Sequence, residues 1–235
     1  MNGLYIAASG AAGELATLNT VAQNLANADT PGYRRFHQLI EAVADNTPWQ
    51  YAGSAITTRI DTGQGPLRVT GNPLDIAVVG PAFLAVETPQ GRAFTRNGAL
   101  QLTADGTLLA AGQPLLGASG APLKLPAGQV TIAADGSISV NGRPAAQLML
   151  ADPGDTVMNP LGGNLYQPDD PDSVAPALPG SSVVRQGYLE FPAGNTVADL
   201  TSLMSVTRSY ESAMRSVQSI DDDQNRTIQA FTLQA

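Results

Sequence analysis

Cysteine is absent from this 235-residue chain; lysine occurs once (Lys124), histidine once (His37) and tryptophan once (Trp49). Without Cys there is neither a disulfide framework nor a thiolate metal site, and stability has to come from packing. Charged residues make up only 14% of the chain, and twelve Lys and Arg against twenty Asp and Glu give a formal charge of -8. Nucleic acid and anionic membranes are bound through clustered Lys and Arg, so neither is an expected partner. No run approaches ~18 consecutive apolar residues, and no membrane-spanning helix is expected. Met1 to Ala12 is small and apolar, yet no Lys or Arg precedes Arg34, and Gly3, Ser9, Gly10, Gly13 and Glu14 interrupt it. A cleaved secretory leader is therefore not expected either.

A catalytic constellation is equally hard to assemble. His37 stands alone beside Arg34 and Arg35 and reads as a surface residue more readily than as a base. No G-x-S-x-G, Walker, G-x-G-x-x-G or H-E-x-x-H string occurs. Asp169, Asp170 and Asp172 could supply oxygen ligands, but Pro168 and Pro171 break the regular spacing of a calcium loop. A carboxylate pair for glycoside hydrolysis is a three-dimensional property, and nothing in the sequence points to one. The expectation is a non-enzyme with no cofactor, no metal and no small-molecule substrate.

What is present lies at the two ends. Leu4, Ala8, Ala11, Leu15, Leu18, Ala22 and Leu25 step by four and three, the spacing of a coiled-coil seam, and predict a helix over residues 2–28. Asn27, Thr30, Pro31 and Gly32 end it, because a proline disfavours helix at the residue before it and glycine takes a turn. From Leu200, the positions Leu203, Thr207, Tyr210, Met214, Val217, Asp221, Gln224, Ile228 and Phe231 repeat the spacing and predict a second helix over 196–232, capped by Asn195 or Thr196. Such a helix would reach roughly 55 Å and needs a long partner; the N-terminal helix is the obvious one. Asp221 and Gln224 interrupt the seam, as a solvated face or where it meets another subunit.

Between the helices the period changes to two. Leu74–Val79, Ala82–Val86 and Ala99–Leu102 read as strands, and Asp105-Gly106 and Asp135-Gly136 as tight hairpin turns. The 24 Gly and 17 Pro fit a turn-rich middle. The fold expected is α+β with a mainly β middle: long terminal helices pairing as a coiled-coil-like stalk around an antiparallel sandwich or barrel-like domain. Residues 1–35 and 190–235 would form the helical part, 36–65 a connecting arm that includes Trp49, and 66–189 the β-rich part.

These segments together resemble the rod and hook protein family of the bacterial flagellum. Near the N-terminus the carrier is Asn24-Leu-Ala-Asn27-Ala-Asp-Thr30-Pro31-Gly32-Tyr33. In the middle it is Pro73-Leu74-Asp75-Ile-Ala77-Val-Val-Gly80 with Phe83, then Phe94-Thr95-Arg96-Asn-Gly98, Gly106 and Gly112. Toward the end it is Gly187-Tyr-Leu189-Glu190 and Leu203 through Tyr210 and Glu211. Within that family, chain length and the short interval from Tyr33 to Pro73 look most like the proximal rod branch, while Gly162-Gly-Asn-Leu165-Tyr166 leans toward the distal one. The resemblance implies an axial structural subunit of the basal body. It would leave through the flagellar export apparatus without a cleaved signal, then associate with itself and with other rod subunits, proximal and distal, across the periplasm.

Overall fold

The computed structural model describes residues 2–42, 54–154, 156–170 and 173–232; side chains at 2–6, 39–42, 54–57, 223–225 and 227–232 are outside the description, and so is Trp49. The chain divides into two compact units. One comprises residues 1–26, 36–58 and 195–235, the other residues 27–35 and 59–194.

The first unit is built on two helices, α1 (Asn2–Ala26) and α2 (Thr196–Thr232), which pack along each other. Gly3, Gly10 and Gly13 each cost α1 about 1 kcal/mol against Ala, so α1 depends on its partners. Those partners occupy different sides. Strand β1 (Phe36–Ala42) pairs with β2 (Ser54–Ile60) and lies against α1. The Asn24 side chain grips the Phe36 backbone like a neighbouring strand: Nδ2 donates to the Phe36 carbonyl and Oδ1 accepts its N–H, both at 2.9 Å. Two residues along, the Gln38 amide donates to Thr20 Oγ1 at 2.9 Å and accepts from Thr17 Oγ1 at 2.8 Å. The alternation of the strand thus meets helix positions 24, 20 and 17, which share one side of α1. Helix α2 begins as expected: Asn195 Oδ1 accepts the N–H groups of Val197 and Ala198 at 3.0 and 3.3 Å.

The second unit is antiparallel β. The hairpin of β5 (Phe83–Thr88) and β6 (Gly91–Thr95) lies at the centre of a six-stranded sheet. On one side follow β15 (Leu165–Pro168) and β14 (Met158–Gly162), on the other β13 (Leu150–Asp152) and β16 (Ala175–Pro176). Two three-stranded sheets carry the expected Asp-Gly turns. In one, β7 (Gln101–Leu102), β8 (Leu108–Ala110) and β9 (Gln113–Pro114) meander; in the other, β10 (Val130–Ile132), β11 (Ser137–Val140) and β12 (Arg143–Gln147) do so. Two ribbons join distant parts of the chain: β3 (Leu67–Val69) with β18 (Tyr188–Glu190), and β4 (Ile76–Val79) with β17 (Val183–Gln186). Ile76, Val78, Leu84, Val86, Leu108, Leu115, Ile138 and Leu148 form a shared apolar core. The architecture is α+β with a mainly β middle between terminal helices. No barrel closes, since strands of two to six residues separated by glycine and proline turns leave several short sheets around that core.

Candidate assembly site

Parts of the three family-like segments, far apart in sequence, meet in the second unit around a buried ionic knot. Glu190 ends β18, where only 3% of its surface is exposed, beside Arg34 and Arg96, exposed by 4% and 2%. Its Oε1 lies 3.3 Å from Arg34 Nη1 and accepts the Gly65 N–H at 2.9 Å, and its Oε2 lies 3.3 Å from Arg96 Nη1. Arg96 also donates to the carbonyls of Val78, at 2.7 Å, and Gly80; Arg34 donates to the carbonyl of Gly63. Both guanidiniums face the Phe83 ring, with Cζ 5.8 Å (Arg34) and 4.8 Å (Arg96) from its centroid. That contact is worth having here, because the Nε atoms of both arginines and Nη2 of Arg34 have no hydrogen-bond partner among the described residues.

Backbone contacts hold the loops in place around the knot. The Gly32 N–H donates to the Glu190 carbonyl at 2.8 Å, and the Arg34 N–H to the Tyr166 hydroxyl at 2.9 Å. Asn164 donates to the Pro31 carbonyl at 3.2 Å and accepts from the Thr95 hydroxyl at 2.7 Å. Gly32 has φ +72°, and a Cβ there would stand 2.2 Å from the Asn97 nitrogen. At Gly98 a Cβ would stand 1.7 Å from the Ile76 carbonyl oxygen, so only glycine permits that approach. The Asp75 carbonyl accepts the Gly187 N–H at 2.7 Å, its carboxylate accepts from Asn72 at 3.0 Å, and the Pro73 carbonyl accepts from Gln186 at 2.7 Å. Leu74 packs against the apolar core and Leu189 is buried. Thr30 N–H donates to the Asn27 carbonyl at 3.0 Å in the turn after α1.

Burial sets the electrostatics. It pulls the Arg96 pKa down to about 10, helped by Arg34 and opposed by Glu190 and Asp152, and leaves it a cation at neutral pH. Burial also pushes the phenols of Tyr33 and Tyr166 above their ordinary range; for Tyr33 the neighbouring Tyr166 adds to the rise. The knot places no base against a nucleophile. Elsewhere in this unit, a cavity of about 440 Å³ beside Leu148, Leu150, Ala177 and Pro179 has Asp135 as its one titratable lining residue. Among the described residues no group of three or more His, Cys, Asp or Glu could hold a metal ion, and His37 is exposed.

Three comparisons with known families match in the same order along the chain. Residues 4–34 match the model described as flagella basal body rod protein, residues 77–140 the flagellar hook protein FlgE/F/G D1 domain, and residues 185–230 the flagellar basal body rod FlgEFG protein C-terminal. The flagellar basal-body rod protein FlgF of Rhizobium meliloti is 33% identical over 232 residues, 89% of each chain. The chain belongs to the flagellar basal-body rod protein family. Its similarity to the FlgF of Escherichia coli is 31% over 254 residues and 98% of both chains. A flagellar basal-body rod protein FlgG of Buchnera aphidicola is 27% identical over 93% of this chain and 95% of its own. These relatives are structural rod proteins and no enzyme family is indicated.

Within this rod-family chain, the expected helix seam is divided. Ala11 is buried and Leu18 and Leu25 are half-buried, whereas Ala8, Leu15 and Ala22 are exposed. On α2, Leu203, Tyr210, Met214 and Val217 are half-buried and Leu200 is exposed. The side chains of Leu4, Ile228 and Phe231 lie outside the described residues. Because β1 takes the side of α1 bearing Thr17, Thr20 and Asn24, the covered arc is rotated away from the centre of the heptad row, and part of that row faces outward. Sequence reasoning quoted Arg34, Asn164 and Tyr166 without giving them a role. A signal existed for Arg34, a charged residue following directly on the Thr-Pro-Gly-Tyr turn of a weakly charged chain; none marked Asn164 or Tyr166.

Proposed function

We propose that this protein is a structural subunit of the bacterial flagellar rod, of the proximal kind, that polymerises through its terminal helices into the axial drive shaft. What carries this reading is the ordered match of all three rod-family segments together with similarity over nearly the full length of proteins named flagellar basal-body rod protein. The geometry supports it in two ways. The first unit offers paired helices with apolar positions left exposed; in the second, the family-like segments are consumed in holding the fold. The partners would be further copies and other rod subunits, proximal and distal, met after passage through the export apparatus without a cleaved signal, in the periplasmic part of the basal body.

The test is Leu18→Asp in the full chain. It places a carboxylate at a half-buried position of α1 and should abolish rod incorporation, while the thermal unfolding of the β unit stays unchanged. Normal motility in that mutant would sink the proposal.

A further inference from the structure

Two faces of the helical unit stand exposed among the described residues. On α2, Val197, Leu200 and Met204 lie on one side at spacings of three and four and are 71%, 45% and 56% exposed. On α1, the outward side bears Ala8, Ala12, Leu15, Asn19, Ala22 and Ala26, with Leu15 41% exposed. The only charged residue in α1 is Glu14, half-buried on another side, so the outward face carries no charge along its length. A helix face meant for water normally carries charge, and an uncharged one suits being covered by apolar surface. The two faces are complementary: three large side chains project from α2, and small ones around Leu15 leave room on α1.

We propose that the Val197–Leu200–Met204 face of one copy seats on the outward α1 face of a second copy, around Leu15. The inference rests on the rod-subunit reading and names the surfaces that reading would use. Both faces border covered residues of their own helices: Leu200 shares its heptad row with half-buried Leu203, and Leu15, Ala8 and Ala22 share theirs with Ala11 and Leu18. Pairing the α2 face with its own copy would set large side chains against large ones and close into a dimer, leaving the outward α1 face uncovered. Seating it on α1 uses one face as donor and another as receiver. Each copy then makes two contacts, and the contact propagates instead of closing.

The absence of cysteine makes the test direct. Full-length chains carrying Met204→Cys or Leu15→Cys, each verified as helical by circular dichroism, are mixed under oxidising conditions and assembly is followed by sedimentation. The expected result is a disulfide-linked dimer that forms mainly in the mixture, and loss of that dimer when Leu200→Glu is added to the Met204→Cys chain. Dimers of the Met204→Cys chain with itself, in place of the mixed species, would overturn the proposal. Failure to cross-link in chains that still sediment as an assembly overturns the face assignment alone. Chains that do not assemble at all overturn it together with the rod-subunit reading.

Discussion

Replacing Glu190 by Gln removes one negative charge from a site that holds two buried cations. The carboxylate is the only anion within ion-pair distance of both Arg34 and Arg96 among the described residues, at 3.3 Å from each. Removing one member of a buried ionic group costs about 3–5 kcal/mol, because the remaining charge is left in a dry environment. The amide of Gln can still accept the Gly65 N–H, and the Glu190 carbonyl still accepts from Gly32; the lower end, about 3 kcal/mol, is the reasoned value. At roughly 2–4 °C per kcal/mol for a unit of this size, the thermal midpoint should fall by about 6–12 °C. The assay is thermal unfolding of the full chain followed in the near-ultraviolet, where Tyr33 and Tyr166 report on the knot. A companion triple variant, Arg34→Met with Arg96→Met and Glu190→Met, should lose less than the single one, since it leaves no uncompensated charge. A midpoint for Glu190→Gln within about 2 °C of the parent, or a triple variant weaker than the single, would refute the ionic account.

Gly98→Ala should prevent the β unit from folding, as its methyl would enter the Ile76 carbonyl; soluble protein with native near-ultraviolet dichroism would contradict this. Asn24→Ala strips both bonds from the buried Phe36 backbone and should cost about 1–3 kcal/mol in denaturant unfolding of the helical unit. The raised phenol pKa values of Tyr33 and Tyr166 have a defined sign. Their contribution to stability is full below the ordinary phenol range near pH 10 and is lost as pH rises toward the folded values. Absorbance titration should therefore show these two ionising only with alkaline unfolding, and Tyr166→Phe, which removes one of the ionising groups, should make the fall in stability above about pH 10 shallower.

The helices and the hairpin turns were legible because they rest on local rules. Alternation by three and four gives α1 and α2, Asn195 caps at its own position, and Asp105-Gly106 and Asp135-Gly136 turn where both residues tolerate the conformation. The knot was not legible, although most of its residues lie in the quoted motifs. Nothing in the spacing of Arg34, Arg96 and Glu190 says that they meet, because ribbons between β3 and β18 and between β4 and β17 bring them together from opposite ends of the chain. Of the expected sandwich or barrel-like middle, the barrel does not close for a related reason: alternation identifies strands but not how far each ladder runs, and here most ladders last two to five residues.

A heptad row shows which positions are apolar but not which neighbour covers them. On α1 the row spans about a third of the helix circumference, and the covered arc is decided by a strand that the row does not contain. With Asn24, Thr20 and Thr17 committed on one side to Phe36 and Gln38, the row keeps Ala11, Leu18 and Leu25 covered and leaves Ala8, Leu15 and Ala22 exposed. The polar residues Asn24, Thr20 and Thr17, which interrupt the apolar pattern, thereby determine which apolar residues remain for another molecule. Exchanging Thr17 and Thr20 for Val would test this. With the Gln38 amide unpaired, β1 should release its side of α1, and the exposure of a probe at Leu15 should change although Leu15 touches neither substitution.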